Sequence, residues 1–165
     1  MIKDSGDRTE FESGAVRDMR EGKGRCDLLP LDIIASFDDD DVLYQIYLFT
    51  DGDGIGLCGY SGYLIRAIES FCEAVDRNWD IYTMFLEVAI HFEEGAKKYG
   101  DNNWRKGIPV RCYIDSALRH YFKYRRGDKD EPHDRAFCWN LLCGIWTCDH
   151  MPELNEYAKK PSEEE

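Results

Sequence analysis

The sequence predicts an all-α fold: a single-domain bundle of packed antiparallel helices with a Gly/Arg/Lys-rich N-terminal loop. Apolar residues recur at helical spacing in several long segments. Prolines stand where these segments begin and glycines where they end, and strand signals are few. The 165 residues, 43% of them hydrophobic, are enough for one domain with a buried core. These observations favour helices packed on helices around one core.

The helical segments follow one another along the chain. A first pattern begins near Pro30. Four acids at residues 38–41 suit the N-terminus of a helix, because they complement its dipole. Residues 41–49 fit either a helix or a strand. Three later segments, 62–77, 80–99 and 110–126, are predicted helices, and Gly100 and Gly127 are the expected stops of the second and third. A last helix is expected over 132–148. Residues 1–12 are expected to be flexible, residues 13–150 to form the domain, and residues 151–165 to form a flexible acidic tail.

The charge pattern narrows the partners. The formal net charge is -12, which disfavours a nucleic-acid polymer as ligand. Bases nevertheless gather at residues 17–25 and 97–126, which indicates a small anionic ligand. No apolar run is long enough to span a bilayer, and the first residues lack a signal-peptide core, so we expect a cytoplasmic protein with no membrane partner. Seven cysteines without CxxC spacing favour reduced thiols over a zinc site of the usual kind.

Acids in the predicted helices are candidate metal ligands. Glu87, His91 and Glu94 have i, i+4, i+7 spacing, which places them on one helix face. With Asp115 from the next helix, Glu87 and Glu94 would suffice for Mg²⁺ (or Mn²⁺), which prefers oxygen ligands and keeps several waters. Glu93 could replace Glu94 if Gly95 loosens the helix. A solvent-facing polar stripe is the alternative.

A second acidic group precedes the last helix. Residues 127–134 read GDKDEPHD and fit either ordinary helix capping or further metal ligands. His91, His120 and His133 lie near the proposed site in the sequence. A histidine in such a position is more often structural, and a role in positioning water or phosphate is the alternative.

The polar and basic residues suit a phosphorylated ligand. Arginine offers paired donors to phosphate oxygens, and asparagine and tryptophan can recognise a base by hydrogen bonds and stacking. Asn140 is polar within an apolar run, so it either orients a site residue or satisfies backbone. The candidate ligand-binding residues are Arg17, Lys23, Arg25, Lys98, Asn103, Trp104, Arg119 and Asn140.

Three blocks of this sequence resemble a phage-associated family, the dATP/dGTP diphosphohydrolase N-terminal domain family. The blocks are GAVRDMREGKGRCDLLP, HFEEGAKKYGDNNWRKGIP, and YIDSALRHYFKYRRGDKDE followed by WN. Residues 37–80 look like an inserted or divergent segment. In broad character the chain is also similar to the all-α MazG-like pyrophosphohydrolases, although their EExxE and ExxD patterns are not reproduced.

The resemblance implies a helical, oligomeric, phage-encoded protein that handles purine deoxynucleotides in the host cytoplasm. The first hypothesis is a Mg²⁺-dependent pyrophosphohydrolase that converts dATP or dGTP to dNMP and pyrophosphate. His91 or His120 would position or deprotonate water, and Glu94 would serve both the metal and catalysis. The alternative is a nucleotide-binding sponge that sequesters a nucleotide, such as a host immune signal, without cleaving it.

Overall fold

The computed structural model describes residues 6–52, 58–75 and 79–158, and within them it confirms the all-α prediction. The helices are α1 (Leu31–Ile34), α2 (Asp41–Asp51), α3 (Gly62–Ala74), α4 (Ile81–Tyr99), α5 (Val110–Arg126) and α6 (His133–His150). Short 3-10 turns lie at Cys26–Leu28, Phe37–Asp39, Asn103–Lys106 and Pro152–Leu154. Segment 41–49, which the sequence leaves open between helix and strand, lies in α2.

Local sequence signals explain where the helices begin and end. Asp40 caps α2 by accepting a hydrogen bond from the Leu43 backbone N–H at 3.0 Å, as the acidic run predicts. Asp80 caps α4 in the same way through Thr83. Gly100 follows α4 with a φ of 90°, and Gly127 follows α5 with a φ of 88°, a region in which residues with a side chain are strained.

The core lies where α3, α5 and α6 meet. The turn of residues 127–132 joins α5 to α6, and these two helices pack along each other. On the other side of the bundle α2 packs on α3, while α4 packs on α6. Phe71 of α3 sits at the centre, with its ring centroid 4.6 Å from that of Phe137 and 5.1 Å from that of Tyr124. This arrangement leaves α4, α5 and α6 to form one wall of a cavity.

The N-terminal region contains a small hairpin that the sequence does not predict. β1 (Arg8–Glu10) pairs antiparallel with β2 (Val16–Asp18), with Thr9 opposite Arg17. Thus part of the expected N-terminal loop is a strand, and residues 8–10 of the expected flexible terminus are paired. Ala15 in the turn is fully buried, which fixes the hairpin against the helices.

The other end of the described chain also contacts the bundle. After the turn at Pro152–Leu154, the Glu156 carboxylate accepts a hydrogen bond from the Arg111 backbone N–H at 3.0 Å. The rest of the predicted tail, residues 159–165, lies outside the described residues. All seven cysteines are free thiols. No helix in the described ranges has the length and apolarity needed to cross a membrane.

Replacement of Phe71 by alanine should lower the free energy of unfolding by about 3–5 kcal/mol, because it leaves a cavity among four aromatic neighbours. Phe37→Ala is the matched control, since the Phe37 side chain is 70% exposed and its loss should change stability by less than about 0.5 kcal/mol. Urea denaturation measures both, and equal effects of the two substitutions would contradict this description of the core.

Candidate functional site

A cavity of about 1220 Å³ opens between the N-terminal arm (residues 8–27) and helices α4, α5 and α6. Its volume exceeds the usual few hundred to about 1,000 Å³ of a small-molecule pocket. Many of the residues predicted from the sequence line it, namely Arg17, Lys23, His91, Asn103, Trp104, Asp115, Arg119, His120 and Asn140. Glu87, Glu94, Arg25 and Lys98 are not among its lining residues. The cavity therefore brings together most of the residues that the sequence predicts for the site.

Asp115 of α5 fastens the N-terminal arm to the helices. Its side chain is fully buried. One carboxylate oxygen accepts a hydrogen bond from Arg119 Nη2 at 2.7 Å and lies 3.7 Å from Arg20 Nε. The other oxygen accepts from the Asp27 backbone N–H at 3.3 Å. A carboxylate surrounded by donors in this way has little capacity left for a cation.

Arg119 extends the same connection. Its Nε donates to the Lys23 carbonyl at 3.1 Å, and its Nη2 donates to the Gly24 carbonyl at 2.8 Å. These bonds hold the glycine-rich stretch over the cavity. Arg119 thus positions this part of the cavity wall by binding backbone, whereas the sequence predicts that it binds ligand directly.

Two asparagines hold β2 at the cavity wall. The Asn103 amide pairs with the Val16 backbone, accepting from its N–H and donating to its carbonyl, both at 2.9 Å. Both amide atoms of Asn103 bind the Val16 backbone in the way that a neighbouring strand would. They are therefore less available to form hydrogen bonds with a base. Asn140 accepts from Arg17 Nη2 at 3.0 Å and donates to the Ala136 carbonyl at 2.9 Å, so both roles predicted for it occur together.

Aromatic rings form one side of the cavity. The Phe92 ring lies 5.4 Å from Trp104 and 5.7 Å from Trp139, measured between centroids. The Arg17 guanidinium lies over the Tyr113 ring at 5.1 Å. Tilted aromatic rings of this kind can accommodate a planar base by stacking. Trp104 is the one predicted from the sequence; Trp139 and Phe92 looked like ordinary core residues of apolar helices.

Three polar atoms along this wall are buried without a hydrogen-bond partner in the described structure. They are Arg17 Nη1, His91 Nδ1 and Trp139 Nε1. All three residues line the cavity. Buried polar groups are nearly always paired, so such atoms indicate a ligand or ordered water. Arg17 and Trp139 can only donate, so a ligand that satisfies them must bring acceptor atoms such as phosphate or purine oxygens and nitrogens.

Burial determines the charge state of His91. Desolvation, followed by the nearby Arg135 guanidinium, lowers the pKa of His91 to about 4. The imidazole is therefore neutral near pH 7, with one nitrogen able to accept a hydrogen bond.

Basic side chains also line the cavity, together with acids such as Asp18 and Glu21. Lys23, Arg20 and Lys123 line the cavity, and burial lowers the pKa of the Lys23 amine. Lys98 and Arg25, which the sequence also places among the ligand-binding residues, pair with acids instead. Lys98 Nζ is 3.0 Å from Asp18 and Arg25 Nη2 is 2.6 Å from Asp27.

The predicted metal acids have other partners. Glu94 accepts a hydrogen bond from Arg135 at 2.8 Å, while Asp115 is engaged as described above. Among the described residues, the groups spaced to hold a metal ion contain none of Glu87, Glu94 and Asp115. The geometry therefore does not favour this set as a cage, and its assignment to a metal stays a prediction. Glu93, the alternative to Glu94, lines the cavity but pairs with Lys97.

Acidic and histidine groups with metal-ligand spacing lie instead between α5 and α6. One is His120, Glu131 and His133, and the other is Asp128, Asp130 and His133. Burial and the neighbouring His133 lower the pKa of His120 well below its usual value. The acidic turn of residues 127–134 was the sequence signal for this region, but nothing in the spacing shows that His133 meets His120.

Comparison with known proteins agrees with the sequence resemblance. Residues 78–156 match the family model of dATP/dGTP diphosphohydrolase, N-terminal. The match supports the suspected family over the segment that contains α4, α5 and α6. The family name suggests a nucleotide substrate and a hydrolytic activity. No match was found among curated proteins or among solved structures.

Substitution of Asp115 by asparagine tests whether this carboxylate is structural. Removal of its charge leaves Arg119 and Arg20 poorly compensated, and we expect a loss of about 2–3 kcal/mol of unfolding free energy in the presence of a chelator. Glu93→Gln is the control, because the exposed Glu93–Lys97 pair contributes less than about 0.5 kcal/mol. If Asp115→Asn destabilised the protein only when divalent metal was present, Asp115 would instead be a metal ligand.

Proposed function

We propose that this chain binds a purine deoxynucleoside triphosphate in the cavity and hydrolyses it between the α- and β-phosphates, giving dNMP and pyrophosphate. The observation that carries the proposal is the set of buried, unpartnered donors on Arg17 and Trp139, in a cavity that aromatic rings and basic side chains also line. The family match over residues 78–156 supports nucleotides as the ligand class.

The proposed binding mode follows from the chemistry of the two sides of the cavity. The purine stacks among Phe92, Trp104 and Trp139, where its ring nitrogens and any carbonyl can accept from the Trp139 indole N–H. The triphosphate lies toward Lys23 and Arg20, whose positive charges offset the charge that builds up on the phosphate oxygens. The acidic surface elsewhere, with a net charge of -12, repels long polyanions and leaves this local opening as the anion site.

Mg²⁺ enters the proposal as the cation that accompanies a nucleoside triphosphate. Such an ion commonly uses substrate phosphates and only one or two protein carboxylates. The fit of the predicted cage is poor, because Arg135 binds Glu94 and Arg119 binds Asp115. We therefore assign no step to an ion held by Glu87, Glu94 and Asp115.

His91 is proposed to hold the attacking water. Its buried Nδ1 has no partner within the described structure, and its ring lies at the cavity wall, 5.3 Å from the Trp139 ring between centroids. A pKa of about 4 keeps the ring neutral, so it orients water more effectively than it removes a proton. Glu94, three residues along α4, contributes by holding Arg135 in place rather than by contact with the ligand.

A non-hydrolytic nucleotide-binding protein is the second candidate. It is favoured by the same observation that weakens the predicted metal cage, namely that Asp115 and Glu94 are paired with arginines. The cavity would then retain a nucleotide without cleaving it. In either form, a phage-encoded protein would act on nucleotides in the host cytoplasm, as an enzyme of nucleotide metabolism or as an antagonist of a host signal.

Purified protein incubated with a panel of nucleotides, with and without Mg²⁺, should release dNMP and pyrophosphate from dATP or dGTP, as read by mass spectrometry. Arg17→Ala should weaken nucleotide binding by about ten- to a hundredfold, since it removes a charge-assisted contact. Arg66→Ala is the matched control, because Arg66 is exposed on α3 and does not line the cavity.

Tight binding with recovery of intact nucleotide would establish the second candidate in place of the first. Failure to bind any nucleotide, or equal binding by the Arg17 and Arg66 variants, would contradict both. Circular dichroism of the Arg17 variant separates loss of binding from loss of fold.

We also propose that the protein is a homo-oligomer, and α4 provides the surface. Tyr82, Phe85, Leu86 and Ile90 are between 42% and 75% exposed and follow helical spacing along one face of α4. An apolar stripe of this kind commonly marks an interface, and on a single helix it can pair with its own copy about a two-fold axis.

Light scattering should therefore give a mass that is a multiple of 19.2 kDa for the wild-type protein. Leu86→Glu should shift it to the monomer by placing a charge in the stripe. Phe37→Glu, at an equally exposed position on a different element, should leave the mass unchanged. A monomeric wild-type protein at high concentration would contradict the proposal.

A further inference from the structure

Two histidines from neighbouring helices turn ring nitrogens toward each other at the edge of the cavity. His120 belongs to α5 and His133 is the first residue of α6. Their Nδ1 atoms are 2.9 Å apart. The ring centroids are 5.2 Å apart and the ring planes are inclined by 38°, so the approach is between nitrogens and is not a face-to-face stack. Two ring nitrogens thus converge on one point, and the tautomers of the two rings decide which of them carries a proton.

Asp130 fixes which nitrogen of His133 is available. The Asp130 carboxylate lies 2.8 Å from His133 Nε2, and a carboxylate can only accept. The proton of neutral His133 is therefore assigned to Nε2, which leaves the Nδ1 lone pair directed at His120. Metal-ligating histidines usually donate their second ring N–H to a carboxylate, which fixes the tautomer and the ring orientation. The Asp130–His133 pair has this arrangement.

Glu131 adds a third ligand from the turn. One ligand atom each from His120, Glu131 and His133 lies within 4.8 Å of the others. His133 is only 2% exposed, while His120 and Glu131 line the cavity. The group is therefore buried at His133 and reaches the cavity at His120 and Glu131.

We infer that His120, His133 and Glu131 bind a first-row divalent transition-metal ion, of the Zn²⁺ or Mn²⁺ type, at the wall of the cavity. Two nitrogen ligands of a tetrahedral zinc ion lie about 3.3 Å apart, given zinc–nitrogen bonds of about 2.0–2.1 Å. The observed 2.9 Å separation needs to widen by only a few tenths of an ångström.

The ligand types determine the class of metal. Imidazole nitrogen suits zinc and other transition metals, whereas Mg²⁺ selects oxygen. Three protein ligands, two histidines and one carboxylate, are typical of sites that leave a coordination position for water or substrate. The same contact also fits an N–H···N hydrogen bond between two neutral rings. Metal titration distinguishes a metal site from such a hydrogen bond.

If the proposed function is correct, this metal site lies next to the bound nucleotide. Because His120 and Glu131 line the cavity, a metal ion that they hold would lie beside the space assigned to the nucleotide. A phosphate oxygen or a water could then bind that ion. Metal binding itself requires no nucleotide, so the two proposals can fail separately.

Metal binding is measured on full-length protein that has been stripped with a chelator. Titration with Co²⁺, followed by visible absorption, should show one equivalent bound, and Zn²⁺ should displace it. His120→Ala and His133→Ala should abolish the absorption. Asp130→Asn should weaken binding by about ten- to a hundredfold while circular dichroism shows an intact fold.

His150→Ala is the matched control. His150 is exposed at the end of α6, where its Nδ1 pairs with the Trp146 carbonyl, so its loss should leave Co²⁺ binding unchanged. If wild-type protein bound no stoichiometric Co²⁺, the histidines would form a hydrogen-bonded pair only. Unchanged affinity in folded His120→Ala protein would equally overturn the site. Neither result depends on nucleotide hydrolysis, which is assayed separately.

Discussion

The buried carboxylate of Asp115 is the interaction on which the rest of the cavity depends. It joins a helix of the bundle to an arm about ninety residues earlier in the chain, through Arg20 and the Asp27 backbone. Arg119, one turn further along α5, binds the same carboxylate and the carbonyls of Lys23 and Gly24. A buried ion pair contributes little net stability, but removal of one partner is costly, so the arm is held in one position. If the arm moved away, the cavity would lose the wall that residues 8–27 form.

The cavity of this acidic protein is lined by both basic and acidic side chains. The chain carries a net charge of -12, and most of the cavity's bases have acidic neighbours, as Arg20 has Asp115. Lys23 and Arg17 are the bases on which the proposed anion site depends. Arg17 lies deeper, over the Tyr113 ring and bound to Asn140, with one donor unpartnered. Partly desolvated cations bind anions more strongly than exposed ones, because fewer water molecules compete. This burial supports the proposal that the cavity takes a small phosphorylated ligand, while the net negative charge disfavours nucleic acid.

The sequence predicts those features of the fold that depend on residues close together in the chain. Long apolar periodicities give α4, α5 and α6, and single residues such as Asp40 and Gly127 mark helix ends. The hairpin was missed because strands of three residues are too short to show a period of two. A spacing of four residues places Asp115 and Arg119 on one face of α5, but it does not show the contacts of Asp115 with the distant arm. Those contacts give Asp115 a structural role, and its assignment to a metal stays a prediction. The contact of His120 with His133 likewise cannot be derived from their spacing.

A crystal structure with a non-hydrolysable dATP analogue and Mn²⁺ tests the central claim, that one cavity holds both nucleotide and metal, most directly. The account predicts a purine among Phe92, Trp104 and Trp139, with an acceptor atom near Arg17 Nη1. It also predicts a manganese anomalous peak between the Nδ1 atoms of His120 and His133. A nucleotide bound outside the cavity, or an anomalous peak at Glu87, Glu94 and Asp115, would contradict it.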